Sequence, residues 1–214
     1  MNTNEDITYL RQIQPLCEGM LGKIQREAMD NNVPIIPPEM VRLLSVILKM
    51  AKPKNILEIG TAVGFSAGLM CSFLEDGGKV TTIDRYEVLL KKAKENINRL
   101  ELEDKIEIIE GDAANVLPNL QGPFDVVFLD AAKGQYINFL PHCLRLLKPG
   151  GVLIADDVLH HGNVTKDVSE IARRQRTIHK RMREFLFEIT NNPKLETCIL
   201  PIGDGVSISY KKEV

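Results

Sequence analysis

The first fifty residues and the rest of the chain carry different hydrophobic patterns. Across 5–29, Ile7, Leu10, Ile13, Leu16, Cys17, Met20, Leu21 and Ile24 recur at helical spacing, which predicts one long helix. Pro34, Pro37 and Pro38 break the chain, and Met40, Val41, Leu44, Ile47, Leu48 and Met50 predict a second helix over 38–51. From Lys54 short apolar runs alternate with amphipathic stretches. NILEI, KVTTI, IEIIE, DVVFL and GVLIA read as strands ending at Gly60, Asp84, Gly111, Asp130 and Asp156. Between them FSAGLMCSFL, YEVLLKKAKENINRL, DAANVLPNL and YINFLPHCLRLL read as helices, the last interrupted at Pro141. A long helix is predicted over 165–191, then two strands, KLETCILPI and GVSISYKK, around Gly203-Asp204-Gly205.

Short apolar strands alternating with helices imply an α/β fold, a mostly parallel sheet with helices on both faces. The last two strands have no helix between them, so they must form an antiparallel hairpin, one strand inserted at or near the sheet edge. A plain dinucleotide-binding domain does not end that way. The predicted organisation is one domain over 1–214, with a helical N-terminal extension (1–52) and an α/β core (53–214). The length and the 44% apolar content suit one sizeable core. No run of ~18 apolar residues occurs, so no membrane span is expected. The polar start MNTNEDITYLRQIQ lacks a signal pattern, and Cys17, Cys71, Cys143 and Cys198 form no C-x-x-C pair. Reduced thiols in a cytoplasmic protein are the expectation. The net charge of −2 predicts no general affinity for nucleic acid and leaves room for a local basic patch.

The chemistry lies in acids at strand ends. Glu58 precedes the turn Gly60-Thr61-Ala62-Val63-Gly64, where Gly60 permits a sharp bend and Gly64 a close approach. The spacing is G-x-x-x-G rather than the dinucleotide G-x-G-x-x-G. An acid ahead of the turn repels a pyrophosphate and suits a cationic ligand such as S-adenosylmethionine. Asp84 is placed to accept hydrogen bonds from two ribose hydroxyls, a role that serves NAD equally. Gly111-Asp112-Ala113 ends the third strand, where an adenine would lie. Asp130 and Asp156-Asp157 end neighbouring strands. Three carboxylates in one crevice are costly without a cation, and all-oxygen ligation favours Mg²⁺ or a similar hard ion. His160 and His161 lie nearby, but carboxylate-rich ligation argues against zinc. Lys133 is placed as general base or orienter for an acceptor hydroxyl, which would take the methyl group in line.

EIGTAVGFSA, TTIDR, EGDA, FLDAAKGQY, LLKPGGVLIADDVL and IGDGVSIS resemble the cation-dependent O-methyltransferase family, which includes catechol and caffeoyl-CoA methyltransferases. The resemblance covers nearly the whole chain. It implies the Rossmann-like seven-stranded class I methyltransferase fold, S-adenosylmethionine, Mg²⁺ and a homodimer whose N-terminal helices line the acceptor site and build the contact. By position, Asp130, Asp156 and Asp157 match the family's metal ligands and Lys133 its catalytic lysine, with Asp130 beside it. Met40, Glu58, Gly60, Ser66, Asp84, Asp112, Ala113 and Asp130 match cofactor contacts. The family usually carries Asp-Asn where this chain has Asp156-Asp157, and the extra charge bears on metal preference.

Within the family, NNVPII, DAAKGQYINF, the basic stretch after HHGNV and ILPIGDGVSISYKK are most similar to bacterial enzymes that methylate 5-hydroxyuridine at the tRNA wobble position. The base would offer two adjacent oxygens, as a catechol does. Arg173, Arg174, Arg176, Lys180 and Arg181 are the candidate tRNA contacts, where a phosphate backbone would be attracted. Three other readings remain beside this one: methylation of a small catechol or phenylpropanoid, a nicotinamide-dependent oxidoreductase, and a non-catalytic RNA-binding module.

Overall fold

The computed structural model describes residues 4–213. Helices α1 (Asn4–Ile13), α2 (Gly19–Asp30) and α3 (Pro38–Ala51) precede the sheet. The core then runs β1 (Asn55–Ile59), α4 (Phe65–Cys71), β2 (Lys79–Asp84), α5 (Glu87–Arg99), β3 (Ile106–Glu110), α6 (Ala113–Val116), β4 (Phe124–Leu129), α7 (Tyr136–Leu146) and β5 (Leu147–Ala155). It ends with α8 (Arg176–Asn191), β6 (Leu195–Leu200) and β7 (Val206–Lys211). The seven strands lie in the order β3-β2-β1-β4-β5-β7-β6. The first five pair in parallel, and β7 runs antiparallel to both β5 and β6. The expected terminal hairpin is therefore present, with β7 inserted beside β5 and β6 left at the edge.

The strands are buried because both faces are covered. Alternation sends Ile56, Phe128 and Ile154 to one core with Leu44, Leu48, Phe65 and Met70, and Leu57, Ile59, Val127 and Leu129 to the other with Leu140, Met182 and Phe185. Successive crossovers run outward from β1 on one side and from β4 on the other. Chain direction thus splits between β1 and β4, and a crevice opens at their carboxyl ends, where α/β sheets bind ligands. Among the described residues no helix is long and apolar enough to cross a membrane.

Three expectations are corrected. The predicted helix over 5–29 is two helices, because Pro15 lacks an N–H and disfavours helix at Gln14. The Cys17 N–H instead donates to the Gln25 side chain at 2.9 Å. The predicted helix over 165–191 begins only at Arg176. Ahead of it lie three separate 3-10 turns, and the second is closed by a reciprocal cap between Asp167 and Glu170. Pro141 does not interrupt α7, whose buried face of Tyr136, Phe139, Leu140, Cys143 and Leu146 holds the helix through it.

Candidate active site

The crevice holds a cavity of about 390 Å³, within the range of small-molecule sites. Gly60, Asp84, Gly111, Asp112, Ala113 and Asp130 all line it, so six of the sequence-predicted cofactor residues are brought together. Backbone N–H groups shape the wall. The Asp84 carboxylate accepts from Ala62 at 2.9 Å, Arg85 at 2.7 Å and Tyr86 at 3.1 Å. Asp112 caps α6 through the Ala114 N–H and pairs with Arg85 at 2.7 Å. That N–H first, and then Arg85, hold the Asp112 carboxyl below its ordinary value. At Gly60 φ is +111°, and an added Cβ would stand 1.9 Å from the Asp130 carbonyl oxygen. Only glycine lets the end of β1 lie this close to the end of β4.

Ser66 lines a small adjoining recess that also touches Gly60 and Asp130. Glu58 and Met40 line neither space. Met40 is buried in the core of α3, and Glu58 lies wholly beneath the glycine turn. Thr82 donates to one Glu58 oxygen at 2.5 Å, while the other oxygen has no partner. Burial pushes the Glu58 carboxyl up to about 8 against the pull of Ser66 and Thr82, with Asp130 and Asp84 raising it further.

Beside the cavity the predicted acids and lysine meet. The Lys133 ammonium lies 2.9 Å from Asp130 and 2.9 Å from Asp157. Burial alone would push this amine down, but Tyr136, Asp130 and Asp157 outweigh it and hold it charged, above its ordinary value. As it stands Lys133 is a proton donor rather than a base. Asp156 is buried, and its carboxylate accepts the Asp157 N–H at 2.8 Å. Burial first, then the charges of Asp130 and Asp157, push its carboxyl up to about 7. Among the described residues no three acid, histidine or cysteine side chains stand as a ready metal cage. The convergence expected of Asp130, Asp156 and Asp157 is thus electrostatic, with a lysine cation between two of them. His160 is buried with Nε2 unpartnered, and His161 pairs with Asp204 at 3.3 Å.

The basic stretch is divided. Arg173, Arg174, Arg176 and Lys180 are exposed, and Arg176, Lys180 and Arg181 line a shallow groove of about 700 Å³. Arg181 also donates to the Gly134 carbonyl at 3.2 Å, tying α8 to the Lys133 turn. Lys180 is 3.7 Å from Glu184, and Arg176 donates to the Ile171 carbonyl at 3.0 Å.

A family model described as O-methyltransferase matches residues 17–212. The chain belongs to this O-methyltransferase family. Caffeoyl-CoA O-methyltransferase 1 from Eucalyptus globulus is 31% identical over 78% of this chain and 70% of its own length. Tricin synthase 2 from Oryza sativa is 32% identical over 80% of this chain, which spans only 61% of that relative. A catechol O-methyltransferase from Niastella koreensis is 33% identical over 63% of this chain and 62% of its own. Among solved structures, a Staphylococcus aureus protein described as a candidate caffeoyl-CoA O-methyltransferase superposes with TM-score 0.85, at 34% identity over 97% of this chain and 98% of that one. An O-methyltransferase from Bacillus cereus in complex with SAH gives TM-score 0.83, at 26% identity over 96% of both chains. Membership of this family sets aside the nicotinamide-dependent oxidoreductase reading.

Two residues of this crevice escaped the sequence reading. Arg85 lines the cavity and pairs with Asp112, and Tyr136 joins the acid–lysine cluster from beneath. Each stood in a quoted motif, TTIDR and FLDAAKGQY. Nothing in spacing alone shows which neighbour of an acid its partner is.

Proposed function

We propose that this O-methyltransferase uses S-adenosylmethionine and, with Mg²⁺ or another hard divalent cation, methylates one of two adjacent oxygens on a catechol-like or phenylpropanoid acceptor. The observation that carries this reading is the Lys133 ammonium held 2.9 Å from both Asp130 and Asp157, at the edge of a cavity that Gly60, Asp84 and Asp112 also line. A cation-seeking acid pair next to a cavity of cofactor size is what such a transfer requires. The names of the relatives, catechol and caffeoyl-CoA O-methyltransferases, support the acceptor class.

The donor set fits a hard cation. Asp156 is buried with its carboxyl raised, and the space between Asp130 and Asp157 already attracts an ammonium. Asp130, Asp156 and Asp157 would hold the ion, which when bound would lower the pKa of an acceptor hydroxyl. Lys133 would orient the acceptor oxygens by donating hydrogen bonds. Asp84 would receive the donor's ribose hydroxyls, and Gly111, Asp112 and Ala113 would flank its adenine. Gly60 would admit the donor close to the chain, with Ser66 near its methionine end, while Glu58 and Met40 would act only through packing. The reading includes a homodimer, supported by the exposed Tyr9, Leu10, Ile13, Val46 and Met50, and a cytoplasmic location, supported by four free cysteines.

A second acceptor is favoured by one observation, the exposed Arg173, Arg174, Arg176 and Lys180 on the stretch of chain that Arg181 ties to the Lys133 turn. On this reading the acceptor is tRNA 5-hydroxyuridine, whose 5-hydroxyl and 4-oxo group are also adjacent oxygens. The target base would leave its stack to reach Lys133. The decisive experiment supplies purified protein, S-adenosylmethionine and Mg²⁺ to 3,4-dihydroxycinnamate and, separately, to tRNA containing 5-hydroxyuridine, with products read by mass spectrometry. A methylated cinnamate supports the first reading and 5-methoxyuridine the second. Transfer to neither rejects both.

A further inference from the structure

We infer that Tyr136 is the positioning residue of this site: its buried hydroxyl holds the Lys133 ammonium between Asp130 and Asp157 and ties together the strand ends that carry Asp130 and Asp156. The inference rests on the proposed role of Lys133 above. Tyr136 opens α7 and is wholly buried. Its phenol oxygen accepts from the Ala131 N–H at 3.3 Å and from Lys133 Nζ at 3.3 Å. The carbonyl of Leu129, last residue of β4, lies 3.2 Å away, and that of Asp156, just past β5, lies 3.0 Å away. A hydroxyl has one proton to give and two lone pairs. Both lone pairs are used, and the proton is shared by two carbonyls on adjacent strands.

The ring is fixed as firmly as the hydroxyl. Phe185 of α8 meets it edge to face, with centroids 5.4 Å apart and planes at 75°. The lysine ammonium also lies 5.6 Å from the ring centroid. Lys133 is a four-carbon point charge that can turn freely unless it is held. Asp130 and Asp157 alone would let it follow either carboxylate. A third, neutral contact from below fixes its height relative to the cavity floor. Removing the hydroxyl leaves a buried N–H and an ammonium each short of one acceptor, which costs order where the reacting oxygen must be placed.

Tyr136→Phe keeps the ring and deletes only the hydroxyl. Trace acetylation read by mass spectrometry, with the other lysines as internal reference, reports how firmly Lys133 is held. The expected result is Lys133 labelling faster by about fivefold or more, and turnover lower by roughly 10- to 100-fold, as for partners that orient a functional group. The KM for S-adenosylmethionine should stay within about twofold, because Tyr136 does not itself line the cavity. In a Lys133→Ala background the same change should cost less than about twofold more, since the two act as one unit. Wild-type labelling of Lys133, or full multiplication of the two effects, overturns the inference. If Tyr136→Phe does not fold, Phe185→Leu, which loosens the ring and spares the hydroxyl, takes its place, and wild-type labelling there overturns it. The labelling decides the matter even if neither acceptor is methylated. Full turnover by Tyr136→Phe would sink the inference and leave the proposed reaction standing.

Discussion

On the proposed donor side of the crevice, the residues from Gly60 to Ala113 sit at the ends of β1, β2 and β3, and main-chain N–H groups hold the Asp84 and Asp112 carboxylates. On the proposed acceptor side, Asp157, His160, His161 and Gly162 all have φ between 49° and 71°, and single 3-10 turns replace the expected helix. Left-handed backbone at non-glycine residues costs roughly 1–3 kcal/mol each and persists only where surroundings enforce it. The proposed donor wall thus lies on strand–turn–helix units with one left-handed non-glycine residue, Ala62 at φ 44°. The proposed acceptor side concentrates three such residues, Asp157, His160 and His161, in one short stretch of chain. Substitutions on the two sides should therefore separate, one set moving donor affinity and the other turnover.

The largest separation is expected at Lys133. Lys133→Ala should lower turnover by roughly 10²-fold or more, as expected when the reacting oxygen loses the donor that orients it, while calorimetric donor affinity stays within a few-fold. Equal loss of both would erase the distinction between the two sides. Gly60→Ala is next. Its methyl would meet the Asp130 carbonyl at 1.9 Å, so stability measured in denaturant should fall by about 3 kcal/mol or more. A stable Gly60→Ala protein would mean that β1 and β4 can part cheaply.

Asp84→Ala gives the mirror image of the lysine change. Donor affinity should fall about 10- to 100-fold, with turnover at saturating donor little changed. The remaining test is a matter of pH. The Glu58 carboxyl is raised from 4.5 to about 8, so the folded state keeps a proton that the unfolded state has lost. Its contribution is fully present below pH 4.5 and drains away as pH rises towards 8. Relative to Glu58→Gln, the natural protein should therefore lose stability as pH rises across that window. Parallel stability curves for the two proteins would show that Glu58 is ionised where it lies.

How far the sequence foretold this follows the same division. The strand ends at Gly60, Asp84, Gly111, Asp130 and Asp156 were legible because apolar runs of fixed period stop at each, and the inserted β7 was legible because no helix separates it from β6. Residues 165–175 misled because their apolar positions fit a helical period, whereas the Asp167 carboxylate accepts the Ser169 N–H and the Glu170 carboxylate the Asp167 N–H in a short turn. Pro15 was a visible breaker, masked by the periodic residues on both sides of it. Met40 and Glu58 have the right sequence positions and no open face, since periodicity does not tell a wall from what lies behind it. Arg181 was read as a surface charge, but its guanidinium reaches a carbonyl 47 residues away in the chain.

The most direct test uses enzyme stripped with EDTA, freed of chelator and supplied with S-adenosylmethionine and whichever acceptor accepts the methyl group. Turnover should vanish and return on titration with Mg²⁺, and Asp156→Ala should raise the Mg²⁺ concentration required by at least about tenfold. Methyl transfer at full rate by the stripped enzyme would contradict the account.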